Sequence, residues 1–224
     1  TRGTESFSVG CSALSDAGAS YSVRVSAGVH ARKIISSTYG RNLKPKDVIG
    51  IIPIVVLSPD DKNITFGAPA DRRTFIDKLL SQCSARYLEE LMQLRRILKQ
   101  RNALLAARAG YFDRDQFDLW TTRLVQTSAE ITIRRRNFVR DFLPHFTDAY
   151  KTLSLGTELV DLRYIPDISL TEEELEKISK EQLVEACTRH AAKVETEELR
   201  RTVTLWGPQK DDLDIRINSG RARE

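Results

Sequence analysis

Nine basic residues form three groups whose spacing suits contact with a phosphate backbone. They are Arg72 and Arg73; Arg95, Arg96, Lys99 and Arg101; and Arg134, Arg135 and Arg136. A helix would place Arg95 and Lys99 on one face, where like charges four residues apart repel each other. Phosphate contacts would relieve this repulsion and release counterions. We therefore predict DNA binding through these residues; a solvated helix face without a ligand remains the alternative.

The charge of the chain is unevenly distributed. Its formal net charge is +4, but residues 86–140 contain twelve Lys and Arg against six Asp and Glu, whereas residues 158–198 contain five against twelve. A basic middle beside an acidic segment indicates a surface for a polyanion on one part of the molecule.

The first basic group stands near a predicted helix start. The helix dipole favours acidic residues there, so another interaction must justify two arginines. We expect one of Arg72 and Arg73 to pair with a carboxylate of the chain such as Asp77, and the other to contact DNA or a second subunit.

Complete enzyme motifs are absent from the sequence. A P-loop needs a Gly-Lys dipeptide to surround phosphates, and the chain contains none; G-x-S-x-G and H-E-x-x-H are missing as well. His30, His145 and His190 lie far apart, without the spacing of metal ligands. Adjacent acids such as Asp60-Asp61 are common in turns and helix caps. The sequence thus predicts no catalytic residue, no metal site and no ATP hydrolysis by this chain alone.

The composition indicates a cytoplasmic globular protein. Hydrophobic residues make up 41% and charged residues 29%, and no apolar run approaches the roughly 18 residues that a membrane helix needs. Residues 1–9 lack the basic start and the apolar stretch of a signal peptide. The three cysteines are far apart and form no C-x-x-C, so we expect free thiols in a reducing compartment and no membrane partner.

The first sixty residues have the pattern of strands. Tyr21, Val23 and Val25 alternate with polar residues, as in a half-buried strand. The segment Ile49–Leu57 is almost continuously apolar and β-branched, which predicts a strand covered on both faces. Turn residues at Ser58–Asp61 end it.

Helical periodicity begins after Gly67. Apolar residues recur three and four apart, and then every seven residues: Ile76, Leu80, Cys83, Tyr87, Leu91, Leu94 and Leu98, followed by Phe117, Leu124, Ile131 and Phe138. We predict two long antiparallel helices joined by a short loop at Gly110, with Pro144 kinking or ending the second. A capping box at Asp113 and Gln116 starts that second helix.

The last part returns to short strands. We predict strands at Leu159–Ile165, Val203–Trp206 and Leu213–Ile217, and an acidic helical region that a capping box at Thr171 and Glu174 opens. The domain boundaries that follow are 1–66 for a β-rich lobe, 67–200 for a helical arm and 201–224 for return strands. The fold class is α+β.

Three motifs resemble the RecF family of bacterial recombination proteins. The first is Leu57-Ser58-Pro59-Asp60-Asp61 followed by Gly67, Pro69, Arg72, Arg73, Phe75, Ile76 and Asp77. The second is Tyr87 and Leu91 followed by Leu98-Lys99-Gln100-Arg101-Asn102 and Leu104-Leu105. The third is Trp206-Gly207-Pro208-Gln209-Lys210-Asp211-Asp212 followed by Ile217-Asn218. Gln209-Lys210 departs from the family's usual His-Arg: it keeps a cation but removes the ring nitrogen and the planar guanidinium.

The resemblance implies the β-rich lobe of an ABC-type ATPase head with an inserted antiparallel helical arm. Such a head is a weak ATPase that binds ATP and Mg²⁺, in an ATP-dependent homodimer. Its partners are DNA at single/double-strand junctions and recombination accessory proteins. By the resemblance, the P-loop would precede this sequence, and the signature motif and acidic metal-binding strand would follow it. The chain is therefore expected to be a middle fragment.

The same resemblance places Ser58, Pro59, Asp60 and Asp61 near the nucleotide, where a carboxylate could assist Mg²⁺ or orient water. The alternative is a strand-ending turn with proline at its second position. At the level of function, the alternative to DNA binding is an arm that docks another protein. Salt separates the two, because phosphate-driven binding weakens steeply as salt rises.

Overall fold

The computed structural model describes residues 5–29, 32–56, 58–107, 112–218 and 220–222. They form two compact units, one containing the residues up to 56 with 81–88, the other containing 58–80 and the residues from 89 onward. The sequence features at His30, Leu57 and Gly110 lie outside the described residues.

The first unit is built on a four-stranded antiparallel meander. Its strands are β1 (Ser6–Leu14), β2 (Ser20–Gly28), β3 (Ile34–Ser37) and β4 (Gly40–Arg41), hydrogen-bonded in chain order. The register pairs Val9 with Val25 and Ser8 with Ser26, so apolar and polar residues alternate between the two faces. The alternation predicted at Tyr21, Val23 and Val25 is confirmed by β2.

The strand predicted at Ile49–Leu57 is wrong over its described residues. Residues 48–52 form turns, and residues 53–56 have no regular secondary structure and no strand partner among the described residues. The amide of Ile54 donates instead to the side chain of Gln82, at 2.7 Å. Gly50 has a φ of +86°, and a Cβ there would lie 2.6 Å from the carbonyl oxygen of Gln82, so the close approach requires glycine.

Six helices are described. They are α1 (Asn63–Phe66), α2 (Pro69–Cys83), α3 (Ala85–Leu105), α4 (Arg114–Leu153), α5 (Glu172–Lys177) and α6 (Lys180–Arg201); 3₁₀ turns lie at Pro45–Asp47 and Pro59–Lys62. The first predicted helical stretch is therefore divided at Ser84. The hydroxyl of Ser84 accepts a hydrogen bond from the amide of Tyr87, which caps the new helix.

The predicted antiparallel packing of the arm is confirmed by contacts between α3 and α4. Glu90 pairs with Arg134 at 2.7 Å, and Arg101 donates to Thr121 at 3.1 Å, so residues run in opposite directions along the two helices. Most of the predicted apolar positions are buried: Ile76, Leu80, Tyr87, Leu91, Leu94, Phe117, Leu124 and Ile131. Cys83 is exposed, and Leu98 and Phe138 are half-buried.

Both predicted helix starts are confirmed, but only the one at Thr171 is a reciprocal capping box. The Asp113 carboxylate accepts from the backbone amide of Gln116 and also from its side-chain amide, so the return hydrogen bond goes to the carboxylate and not to the backbone of Asp113. Thr171 and Glu174 form the reciprocal pair at α5. Helix α4 continues through Pro144 to Leu153, so the proline does not end it. Within the described ranges, no helix is long and apolar enough to span a membrane.

The second unit also contains a three-stranded antiparallel sheet. Its strands are β5 (Val160–Ile165), β6 (Asp212–Ile217) and β7 (Gly220–Arg221). The predicted strands at Leu159–Ile165 and Leu213–Ile217 are confirmed. The strand at Val203–Trp206 is wrong, because side chains satisfy its amides: Thr204 donates to Asn102 and Leu205 donates to Glu198. Since β6 pairs with β5, the residues after 201 belong to the same compact unit as α4 and α6.

Candidate functional site

The third motif lies in a buried polar network whose centre is Asp211. The Asp211 carboxylate accepts from Arg135 at 2.7 Å, from the amide of Asp167 at 2.9 Å and from the hydroxyl of Tyr164. Burial raises the pKa of Asp211 to about 6, against the opposing effect of the Arg135 charge. Burial also raises the pKa of Tyr164 well above its ordinary value, which keeps the phenol protonated as the donor.

Arg135 connects this carboxylate to two other parts of the second unit. Its guanidinium, 1% exposed, also donates to the carbonyl oxygen of Pro208 at 2.7 Å and to Asp77 at 2.9 Å. The network therefore joins α2, α4, β5 and the turn before β6. Each of these polar groups is satisfied within the protein, as burial of charge requires.

A second ion pair fixes the start of α2. Arg72 donates to Asp212 through two nitrogens, at 2.7 and 3.0 Å, and to the carbonyl oxygen of Gly67. The neighbouring Arg73 is half-buried and donates to the carbonyl oxygen of Asp211 at 2.6 Å. The predicted internal pairing of one of the two arginines is confirmed for Arg72, with Asp212 as its partner in place of Asp77.

The second motif forms its own buried network. Arg101 makes a two-point ion pair with Glu198, at 2.9 and 2.6 Å, and donates to Thr204 at 2.9 Å. The guanidinium lies 4.5 Å from the centre of the Phe117 ring, a cation–π contact. Asn102, the next residue, accepts from both the amide and the hydroxyl of Thr204. These contacts hold α3 against the end of α6.

Burial corrects the DNA-binding prediction for Arg72, Arg101 and Arg135. Their side chains are enclosed and paired with carboxylates of the same chain, so phosphates cannot reach them in this structure. The sequence shows that these residues are cationic, but their spacing does not show which face of each helix is buried against other elements.

The remaining residues of the third basic group are also engaged inside the chain. Arg134 is half-buried and pairs with Glu90. Arg136 is half-buried and donates to the carbonyl oxygens of Leu175 and Ile178, at 2.9 and 3.1 Å. Since a helix leaves its last carbonyls without intrahelical partners, Arg136 caps the end of α5.

Arg95, Arg96 and Lys99 remain as an exposed basic face on α3. All three are exposed, and none has a hydrogen bond or ion pair to another described residue. Several other exposed cations of the second unit are paired with acids: Arg114, Arg140, Lys177, Lys180, Arg189, Arg200 and Arg201. Lys62, Lys151, Lys193 and Lys210 are exposed without an ion pair among the described residues, but they are single cations and not a group on one helix. The α3 face, defined as Arg95, Arg96 and Lys99, thus carries positive charge that the surrounding chain does not neutralise.

The other residues of the third motif shape the turn before β6. Gly207 has a φ of +116°, a conformation that favours glycine, and its amide donates to Asp167 at 3.2 Å. Gln209 donates to the carbonyl oxygen of Trp206, while Lys210 is exposed. Sequence reasoning missed Tyr164, Asp167 and Glu198, because a single acid or tyrosine in a strand or helix carries no spacing signal.

The predicted nucleotide-proximal residues form a capped 3₁₀ turn. Ser58 is half-buried and its amide donates to Asp61 at 2.5 Å, while Pro59 and Asp60 are exposed on the first turn. Among the described residues, no group of three or more His, Cys, Asp or Glu could hold a metal ion. Asp60 keeps a carboxylate open to solvent, and its role near a nucleotide stays a prediction.

Comparison with known proteins identifies the type of chain. No family model matches the sequence. The DNA replication and repair protein RecF of Chloroherpeton thalassium is 38% identical over 173 residues, which cover 77% of this chain and 46% of that protein. The RecF of Chlorobium luteolum is 34% identical over 211 residues, or 93% of this chain and 56% of that protein. The chain is of the RecF type.

The fold agrees with RecF. A solved structure of the recombination mediator protein RecF with ATP, from the RecFOR pathway, matches 99% of this chain and 58% of that chain. The TM-score is 0.86 at 22% sequence identity, so the match concerns the fold, and it confirms the predicted α+β class of a RecF head. The chain spans about half the length of the curated RecF relatives it matches.

Proposed function

We propose that this chain is part of a RecF-type protein of DNA replication and recombinational repair, and that it contacts DNA through the α3 face. The names of the relatives support the process. The exposed, unpaired cations Arg95, Arg96 and Lys99 support the contact. Such a surface binds phosphates without reading base sequence, because its charges meet only the backbone.

ATP would be held by the intact head rather than by these residues alone. One solved fold neighbour is a RecF–ATP complex. The residues of this chain do not suffice for the β- and γ-phosphates, because the sequence has no P-loop lysine; Asp60 supplies a single exposed carboxylate. A turnover assay on this chain should therefore show no Mg²⁺-dependent ATP hydrolysis above background.

The wider setting follows from the same proposal. For this chain we propose domain boundaries at 66 and 200. For the whole protein we propose an ATP-dependent homodimer in the cytoplasm, which binds DNA at single/double-strand junctions and contacts recombination accessory proteins. The two buried networks support a mechanical role for the motifs, since Asp211 and Arg101 tie the helical arm to the segment that leads back into β6.

The DNA contact is tested by charge removal on α3. A variant carrying Arg95→Gln, Arg96→Gln and Lys99→Gln should bind a fluorescent duplex more weakly than the unchanged chain, by about the same factor for any sequence. The slope of log affinity against log salt should flatten by about 0.9 for each lost phosphate contact. The matched control removes three exposed cations that are already paired, through Lys177→Gln, Arg189→Gln and Arg200→Gln.

The two variants have the same net charge, so they separate a local surface from a general charge effect. Equal loss of affinity in both would show that only net charge matters. Unchanged affinity and salt slope in the α3 variant would remove the α3 face from the DNA surface. The second candidate, a protein-docking arm, would then be favoured, and it has an exposed apolar side chain beside the same face in Met92.

A further inference from the structure

The sheet β1–β4 has a polar face that the proposed DNA contact does not use. Cross-strand pairing sets Ser8 opposite Ser26 and Ser12 opposite Ser22, and the hydroxyls of Ser8 and Ser26 lie 3.0 Å apart. Most apolar residues of these strands, such as Val9, Val23 and Val25, point to the other side, whereas Leu14 and Ile34 lie at the ends of the polar face. None of the four described strands contains a carboxylate.

One row across this face contains two arginines. The register aligns Gly10 on β1, Arg24 on β2, Ser36 on β3 and Arg41 on β4. Residues directly opposite each other in adjacent strands point to the same face, so both arginines belong to the polar side. The side chain of Arg24 has no hydrogen bond or ion pair to another described residue.

The Arg24 side chain lies over the glycine that it pairs with on β1. The guanidinium carbon of Arg24 lies 3.7 Å from the place that a Cβ on Gly10 would occupy. Because Gly10 has no side chain, the guanidinium lies directly against β1 on the polar face. A cavity of about 290 Å³ opens at this point, lined by Gly10, Ser12, Ser22, Arg24 and Ser36 among others.

The cavity contains hydrogen-bond donors that the chain itself leaves unused. The hydroxyls of Ser12 and Ser36 have no partner among the described residues, while that of Ser22 lies 3.3 Å from the hydroxyl of Thr38. Serine hydroxyls rotate to donate to an acceptor, and arginine presents a planar fork that matches phosphate oxygens. No acid on these strands would repel an anion or compete for the guanidinium.

We propose that this face, defined by Gly10, Ser12, Arg24 and Ser36, binds the phosphate group of a ligand. Arg24 pairs with two phosphate oxygens, and Ser12 and Ser36 donate to the remaining oxygens. Arg41 adds positive charge at the end of the row. The site is separate from the α3 face and does not depend on it, because the two lie in different compact units.

Binding is measured by titrating the ¹⁵N-labelled chain with inorganic phosphate at constant ionic strength, with chloride as the balancing ion. We expect saturable shifts of the Arg24 Nε–H and of the Ser12 and Ser36 amides. Arg24→Gln should weaken binding about ten- to a hundredfold, the usual effect of losing a charged hydrogen-bond donor. Lys46→Gln, which removes an exposed cation of the same unit, should leave binding unchanged.

A second variant keeps the charge and fills the space. Gly10→Val should lift the guanidinium from the sheet and weaken phosphate binding, while the spectrum reports that the sheet remains folded. Glycerol phosphate and dimethyl phosphate then separate a small monoester from a polymer-type diester as the source of the group. Shifts that chloride reproduces, or equal affinities in the Arg24→Gln and unchanged chains, would overturn the site.

Discussion

Two buried arginines are each matched by a carboxylate in the second unit, and the two carboxylates are satisfied differently. Glu198 gives both oxygens to Arg101 and a further contact to the amide of Leu205. Asp211 shares Arg135 with Asp77 and takes two further donors. Removing charge from Glu198 therefore isolates a cation, whereas removing charge from Asp211 leaves Arg135 with a second acid. The two positions call for different experiments.

Glu198→Gln should destabilise the chain by about 3–5 kcal/mol, because it leaves the Arg101 charge buried without a counter-ion. Both side chains of this pair are at most 1% exposed. Urea unfolding measures the change. The matched control is Glu185→Gln, which breaks an exposed i,i+4 pair with Arg189 and should change the free energy of unfolding little. If the two substitutions change the free energy of unfolding by similar amounts, the buried pair contributes no more to stability than the exposed pair.

Asp211 should make stability depend on pH between about 4 and 6. Burial raises its pKa from the ordinary 3.8 to about 6 in the folded chain. The folded state then binds the proton before the unfolded state does, so the contribution of this group is full below 3.8 and is lost as pH rises through 6.

The pH effect is measured by comparison with Asp211→Asn. Lowering the pH from 7 to 4 should favour the unchanged chain over the variant by about 2 kcal/mol, most of the effect expected from the difference between the two pKa values. Groups with lowered pKa values, such as Glu197 beside Arg200 and Arg201, act in the opposite direction but are common to both proteins and cancel. Parallel pH profiles would contradict the raised pKa.

At this scale the sequence predicted chemistry better than location. It identified the arginines and the paired acids of the motifs, and it anticipated an internal partner for one of Arg72 and Arg73. It could not tell that Arg101 and Arg135 face inward, since their partners Glu198, Asp77 and Asp211 lie between 58 and 97 residues away along the chain. The exposed residues of the α3 face share the same local pattern as the buried Arg101.

Among the elements, the predicted helix starts and three predicted strands are confirmed, whereas two predicted strands are wrong. Helix starts at Asp113 and Thr171 were predictable because the capping residues lie within four positions of each other. The strands predicted at Ile49–Leu57 and Val203–Trp206 had suitable composition, but a strand also needs a neighbour to pair with. Side chains of Gln82, Asn102 and Glu198 occupy the amides instead.

The helical hairpin predicts which apolar residues carry its stability. Leu91→Ala on α3 and Leu124→Ala on α4 should each cost about 2–5 kcal/mol, since both side chains are buried and each leaves a cavity. Leu119→Ala is the control, because this leucine of α4 is about half exposed. The stability of the three variants is measured by thermal unfolding and compared with that of the unchanged chain. A control as unstable as Leu124→Ala would contradict the assignment of the buried face.

For the whole molecule, the two units differ in how much apolar surface they cover. In the first unit, Phe7 and Val9 on β1 are more than half exposed, and Val55 and Val56 are 87% and 73% exposed. An open cavity of about 370 Å³, lined mainly by apolar residues, lies in the same unit. The second unit also exposes Phe66, Leu153, Leu155 and Leu159, but it contains most of the buried apolar side chains; among the described residues, those in the first unit are Ile35 and Tyr87. The first unit therefore buries less of its apolar surface than the second.

The exposed residues 53–56 should make this chain self-associate. All four are apolar, Ile54, Val55 and Val56 are β-branched, and no described strand pairs with them, so the segment favours pairing with a second copy. Val55→Lys should lower the sedimentation-derived association constant without changing the unfolding temperature, because Val55 has little contact to lose. Leu155→Lys is the control, since this leucine is equally exposed but lies in the other unit. If the unchanged chain is monomeric, the prediction is wrong. If only Leu155→Lys lowers the association constant, the association surface lies in the second unit.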